Sequence, residues 1–419
     1  MKKMIAALVA VLLLLQMGTA FAASDEVKTF GFTDERHRDA TVGGTVLFPA
    51  WFHNGGPSYS QSLILSGDRW GMADKNVIVS VENNNLNGYI VSGVVGTEPP
   101  EYKEMPPVWS VKLSGSTPTK SHPTFVERDG GKYIYIGTYS PYLDIVDITD
   151  FQDVNQDKLV SKEIPNATDI TSAPLVMDWR GHKIVIITSG NTGKVFILTD
   201  PLFSNTNGFY INAGSGRTSS SPAPVAGRTA FAVGLDGGQS HGELRIYYLD
   251  DILAESEGKV INKSKNARVV RPINSGLAAS FCVDDDMLYF GDTRSRVYAY
   301  NVVTRTPKWV NTGNAGKFSN RSPALTPTRV YFPAVGREGE QGKVLAIDRA
   351  TGKTEWAVAM KDPYTGKDLG RAMTAPAVLR GPDAAAILEG TSNGYLAIID
   401  PSTGKIVYTL PIASKTGGK

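Results

Sequence analysis

The chain has 419 residues, with 43 Lys and Arg against 41 Asp and Glu, a formal net charge of +2 at pH 7. A leader that takes Lys2 and Lys3 with it leaves a neutral protein, which excludes a global attraction to nucleic acid or to an anionic membrane. The single cysteine, Cys282, excludes an intramolecular disulfide and lies too far from the leader to anchor a lipoprotein; in the apolar run 278–283 it reads as a small core residue.

In chain order, Met1-Lys2-Lys3, an apolar run from Ile5 to Leu15 and Ala20-Phe21-Ala22 ahead of Ala23 make residues 1–22 a secretory signal peptide. The run is shorter than the ~20 residues of a spanning helix. The mature protein is therefore expected to be exported, periplasmic or extracellular, without a membrane span. Residues 23–40 form an N-terminal extension, and residues 41–52, TVGGTVLFPAWF, read as an extra strand able to latch onto the last repeat. Trp51, Phe52, His53, Trp70 and Met72 gather apolar surface here and read as a cap on the fold, with an exposed docking patch as the alternative.

Between residues 41 and 412 one unit recurs. It opens on small polar residues and usually a proline: Ser60-Gln61-Ser62, Ser121-His122-Pro123, Ser172-Ala173-Pro174, Ser220-Ser221-Pro222, Ala279-Ser280-Phe281, Arg321-Ser322-Pro323 and Thr374-Ala375-Pro376. An apolar strand follows each start, then second strands such as KYIYIGT and KIVIITSG and third strands such as LDIVDI and KVLAID. A fourth strand is marked by an aromatic at Trp109, Trp309, Trp356 and Tyr408. Four short strands per unit, seven times over, predict an all-β fold: a single seven-bladed β-propeller of four-stranded antiparallel blades, or eight blades if residues 41–52 seed another. One sheet cannot bury both its faces, but packed radially each blade covers its neighbour. Residues 413–419 are a C-terminal tail.

In the last two units Asp-x-x-Thr-Gly-Lys, at 348–353 and 400–405, joins the third strand to the fourth. Gly352 and Gly404 suit a positive φ, and Asp348 and Asp400 can accept turn amides. Two units carry insertions instead, Asp150 to Ala167 and Asp250 to Arg271, the second polar enough for an exposed loop or short helix. The acidic run Asp284-Asp285-Asp286 reads as a solubilising turn tip.

The segments GKVLAIDRATGKTEWAV and GYLAIIDPSTGKIVYTL resemble the repeat of the pyrroloquinoline-quinone-like (quinoprotein-like) β-propellers, and SRVYAYNVVTRTPKW is a weaker match. The resemblance implies that Trp109, Trp309, Trp356 and Tyr408 dock between blades. It implies no single activity, because the family includes quinone-dependent alcohol and sugar dehydrogenases as well as non-enzymatic members that scaffold other proteins. Its alcohol dehydrogenases carry a vicinal disulfide below the quinone and a calcium held by acidic and amide side chains. One cysteine forbids that disulfide.

Asp153-Val154-Asn155-Gln156-Asp157 spaces three oxygen ligands as calcium loops do, yet Lys158 stands where such a loop needs glycine and Glu163 falls one position early for the closing ligand. The five histidines are scattered, and there is no nucleophile elbow or zinc motif, so no catalytic or metal residue is assigned. What remains depends on the fold: residues just before the innermost strands should ring the central funnel. Lys120, His122, Arg217, Lys317, Arg321 and Arg371 fall there, with Asp169, Thr171, Leu277 and Thr374. Such a ring suits an acidic ligand or partner surface. The expectation is an exported, non-enzymatic scaffold for another envelope or extracellular protein, or for an acidic or carbohydrate ligand, with no cofactor. A dehydrogenase using PQQ and calcium is the alternative.

Overall fold

The computed structural model describes residues 39–41, 51–52 and 62–411, apart from 74, 93–102, 105, 116, 118, 200–207, 214–215, 219, 226–228, 237–241, 257–258, 263–268, 274, 278–279, 295, 313–321, 335–340, 373 and 381–385. The segment 1–22 expected to be a signal peptide, His53, Lys317 and Arg321 lie outside the described residues, and Trp51 and Phe52 are described by backbone alone.

Seven antiparallel sheets succeed one another along the chain and form a seven-bladed propeller. Blades 1 to 7 begin at innermost strands Leu63–Ser66, Thr124–Arg128, Leu175–Trp179, Ala223–Val225, Cys282–Asp284, Ala324–Leu325 and Ala377–Arg380. They end at outer strands Trp109–Lys112, Leu159–Glu163, Phe209–Asn212, Val269–Ile273, Thr306–Asn311, Thr354–Ala359 and Ile406–Pro411.

The strands read as continuous apolar runs because both faces of a blade are covered. In His182–Ser189, the second strand of blade 3, Val185 and Ile187 pack toward blade 2 while Ile184 and Ile186 pack toward blade 4. Six such apolar clusters fill the junctions from blades 1 and 2 through blades 6 and 7, and Cys282 is buried in the one between blades 5 and 6.

The junction of blades 7 and 1 is built differently. On blade 7, Leu388, Leu396 and Ile398 are only half-buried, whereas Tyr135, Ile186, Ala232, Tyr289 and Tyr331, on the matching face of earlier second strands, are buried. On blade 1, Val77, Val79 and Val81 pack toward blade 2, so the opposite face of the same strand carries Ser80 and Glu82. There Ser80 Oγ and Tyr89 OH donate to Glu82 Oε1 at 2.7 and 2.9 Å.

Contact with the last blade comes from Asp39–Thr41, which pairs in parallel with Ala377–Arg380. The latch expected over residues 41–52 is thus corrected in position: it lies on the innermost strand, whose inner edge has no other partner in the sheet. Trp51–Phe52 instead pairs in parallel with Lys103–Glu104. The two insertions are also shorter than the sequence suggests, because Leu159–Glu163 and Val269–Ile273 are the outer strands of their blades. In blade 4 the insertion is a short helix, Leu249–Ile252, then a hairpin of Leu253–Ser256 with Lys259–Asn262. Leu249, Ile252 and Leu253 anchor it in the core between blades 3 and 4.

Antiparallel order gives the disc two unlike ends. The lead-in end carries the connections into innermost strands and the turns from second to third strands. The turn end carries the remaining turns and both insertions.

Candidate functional site

The recurring lead-in hydroxyl fixes the rim of the channel. Ser121 Oγ accepts from Gly137 N (3.0 Å) in its own blade and donates to Ser172 O (2.7 Å) at the start of the next. Ser172, Ser220 and Thr374 likewise accept from Thr188 N, Gly234 N and Gly390 N at 2.9, 2.7 and 2.8 Å. One residue on, Ala173 N donates to Ser221 Oγ (2.9 Å) and Ser221 N to Ser280 Oγ (3.1 Å). A hydroxyl both donates and accepts, so one small side chain satisfies a buried strand end and stitches neighbouring blades together.

Beside these stitches, Lys120, Arg217 and Arg371 are exposed and His122 is half-buried. Lys120 Nζ lies 5.6 Å from the centre of the Tyr139 ring. Arg217 exchanges backbone hydrogen bonds with Asp236 at 2.9 and 2.7 Å. Arg371 N donates to Ser392 Oγ and Arg371 O accepts from Ser392 N, both at 2.9 Å. The main chain at both arginines is therefore fixed while the side chains reach the surface. Elsewhere the rim is not basic: Leu277 is buried, and buried Asp169 accepts from Thr168 Oγ1, Ser189 Oγ and Asn191 N at 2.9, 3.1 and 3.3 Å.

Two cations at the same end escaped the sequence reading. Lys194 opens the third strand of blade 3 and sits 4.7 Å from the Tyr210 ring centre. Lys367 donates to Tyr395 OH (2.5 Å) and lies 4.8 Å from that ring centre. Its signal was present, because Asp362-Pro-Tyr-Thr-Gly-Lys367 is a third copy of the turn motif. This copy lies between blades 6 and 7, where Asp362 Oδ1 accepts from Thr365 N (2.7 Å) and Thr409 Oγ1 donates to Asp362 Oδ2 (2.5 Å).

At the turn end the aromatics pack as wedges. Trp309, 9% exposed, donates to Arg349 O (3.0 Å), and a Cβ on Gly352 would lie 2.6 Å from its indole. Trp356 donates to Pro401 O (3.0 Å) and covers Gly404 in the same way. Trp109 meets Phe151 edge-on at 5.4 Å, so the blade 2 insertion supplies an aromatic where later blades supply a turn glycine. Tyr408, the matching residue of blade 7, is 50% exposed.

The calcium-like spacing is used structurally. Asn155 Oδ1 accepts from Asp157 N (3.0 Å), Val154 is buried, and the Gln156 amide both accepts from Lys112 N and donates to Lys112 O at 3.0 Å. Asp284, expected at a solvated tip, pairs with Arg349, which also donates to Tyr289 OH (2.9 Å). The reason is radial packing: the turn of blade 5 abuts the turn of blade 6.

Residues 251–419 match the family model described as outer membrane protein assembly factor BamB, PQQ_2. Two solved structures are similar over most of the chain. A europium-containing methanol dehydrogenase aligns at 12% identity and TM-score 0.64, covering 96% of this chain and 87% of that one. BamB from Moraxella catarrhalis aligns at 16% identity and TM-score 0.51, covering 84% of this chain and 87% of that one. The PQQ-like repeat is thus matched over residues 251–419, and the rest of the described chain shares the propeller fold. A search of curated proteins gives no match.

At these identities the structural likeness shows the fold, and the cofactor must be judged on residues. Calcium beside a quinone needs converging carboxylate and amide oxygens. In this propeller the buried carboxylates Asp144, Asp169, Asp292 and Glu389 stand in different blades. Asp144 accepts from Ser114 N and Ser161 Oγ, both at 2.7 Å, and burial pushes its pKa up. Asp292 accepts from Arg296 Nε (2.7 Å) and Tyr298 OH (2.9 Å), and Glu389 from Thr374 N and Oγ1, both at 3.0 Å. No three His, Cys, Asp or Glu side chains converge among the described residues, so these do not fit the group.

Proposed function

We propose that the protein is an exported, non-catalytic propeller that acts as a binding scaffold for another envelope or extracellular protein, using its lead-in end. The carrying observation is a rigid platform: Arg217 and Arg371 are exposed on main chain held by hydrogen bonds, Lys120 is exposed beside them, and Asp169 and Glu389 at the same end are buried and bonded. Binding groups placed on rigid supports lose little freedom on association. The match to the BamB family model supports a scaffold over an enzyme.

The test is cross-linking and capture from an envelope fraction with mature protein and with the Lys120→Ala/Arg217→Ala/Arg371→Ala variant, alongside calorimetric titration with PQQ and calcium. A discrete partner captured by the parent and lost by the variant supports the scaffold. Stoichiometric quinone binding with turnover of alcohols or sugars overturns it.

A further inference from the structure

We infer that the lead-in end also carries a binding surface for an anionic polysaccharide, built from lysine and tyrosine pairs on blades 2, 3 and 7. The pairs are Lys120 with Tyr139, Lys194 with Tyr210, and Lys367 with Tyr395, with ammonium-to-ring distances of 5.6, 4.7 and 4.8 Å. Tyr139 and Tyr210 remain 43% and 39% exposed, and Tyr364, in the same hairpin as Lys367, is 71% exposed.

Charge complementarity selects the partner. The exposed cations Lys112, Lys120, Arg217, Lys367 and Arg371 stand at the lead-in end, where the exposed acids include Glu163 and Asp368. The opposite end presents exposed Asp129, Asp150, Asp153, Asp157, Asp178, Asp250, Asp251 and Asp285, with the fewer exposed cations Arg180, Arg305, Lys308, Lys353 and Lys405 among them. Among the described residues exposed cations outnumber exposed acids at the lead-in end and not at the opposite one, so the lead-in end is the face that favours an anionic chain.

The tyrosines select the kind of anion. Cations alone would satisfy carboxylates on any polymer, but exposed Tyr139 and Tyr210, beside Lys120 and Lys194, add apolar planes on which the C–H face of a pyranose ring can lie. Lys194 also donates to Asn166 O (3.0 Å), and Lys367 to Tyr395 OH (2.5 Å), contacts that order these lysines before ligand arrives. Three pairs spread over blades 7, 2 and 3 call for an extended ligand rather than a single sugar.

This inference rests on the lead-in end being the binding face, and it is separable from the protein partner. The experiment is biolayer interferometry of mature protein against polygalacturonate, neutral dextran and poly-L-glutamate. Polygalacturonate binding that weakens with salt, with dextran silent and poly-L-glutamate weaker, is expected. The Tyr139→Ser/Tyr210→Ser variant should lose about tenfold in affinity for polygalacturonate, equivalent to about 1.4 kcal/mol, with little change toward poly-L-glutamate. Lys120→Arg/Lys194→Arg/Lys367→Arg should retain binding that the corresponding alanine variant loses, with matching circular dichroism and melting showing that all variants fold. Equal binding of poly-L-glutamate, or indifference of polygalacturonate binding to the tyrosine changes, overturns the proposal. Loss of protein capture with intact glycan binding would sink the scaffold reading alone, and the reverse would sink the glycan surface alone.

Discussion

Gly352 and Gly404 each answer two demands at one atom. Their φ angles are +75° and +69°, and the place of a Cβ is occupied by the indole of the preceding blade at 2.6 and 2.5 Å. A side chain there meets left-handed strain of ~1–2 kcal/mol and overpacking of ~1–3 kcal/mol, so Gly352→Ala is expected to cost about 2–5 kcal/mol in urea unfolding. Asp362 makes a subtler statement. The Thr409 hydroxyl, with the Thr365 amide, lowers its pKa from 3.8 to about 2. A folded-state pKa below the unfolded one gives stability that is complete above pH 3.8 and is lost as pH falls through about 2. Melting temperatures of the parent and of Asp362→Asn should therefore differ at pH 5 and converge on acidification toward pH 2. A constant gap across that range would show that the carboxylate charge is not what holds the hairpin.

The wedge between blades belongs to the strand and the turn together. Trp309 and Trp356 each cover a glycine turn, so truncation to alanine should cost about 3–5 kcal/mol by urea unfolding, whereas Tyr408→Ala should cost about 1 kcal/mol or less. Equal costs at all three would mean that the turn adds nothing to the wedge. This contrast also marks how far the sequence could be read. Blade number and strand order were legible because doubly covered strands are apolar without alternation, and because the lead-in hydroxyl recurs for a physical reason, the stitch. The outer strands of blades 2 and 4 were not, since LVSKE lacks an aromatic and VVRPI contains a proline. At the rim, exposure of Lys120, Arg217 and Arg371 followed from the repeat. Burial of Asp169 did not, because its partners Ser189 and Asn191 come 20 and 22 residues later, on the far side of two strands. Lys194 was invisible for the same reason, its ring coming from the next strand.

For the whole molecule, the ring has one junction unlike the rest. Half-buried Leu388, Leu396 and Ile398 face a blade 1 surface bearing Ser80, Glu82 and Tyr89, so the strands at this junction should open first. Hydrogen exchange is expected to be faster in residues 386–390 and 395–399 than in 182–189 and 194–199 of blade 3. Uniform protection around the ring would show that the polar junction holds as firmly as the apolar ones. The unequal ends of the disc carry a further consequence. With exposed cations in excess at the lead-in end and exposed acids in excess at the turn end among the described residues, and little net charge, the protein has toward a distant charged surface a dipole component along the channel. Such a body feels weak net pull but a definite torque. Within about 8 Å of an anionic layer at physiological salt it turns its lead-in face downward before any contact forms. Orientation would then precede recognition, and raising the salt would first be felt as a loss of productive collisions.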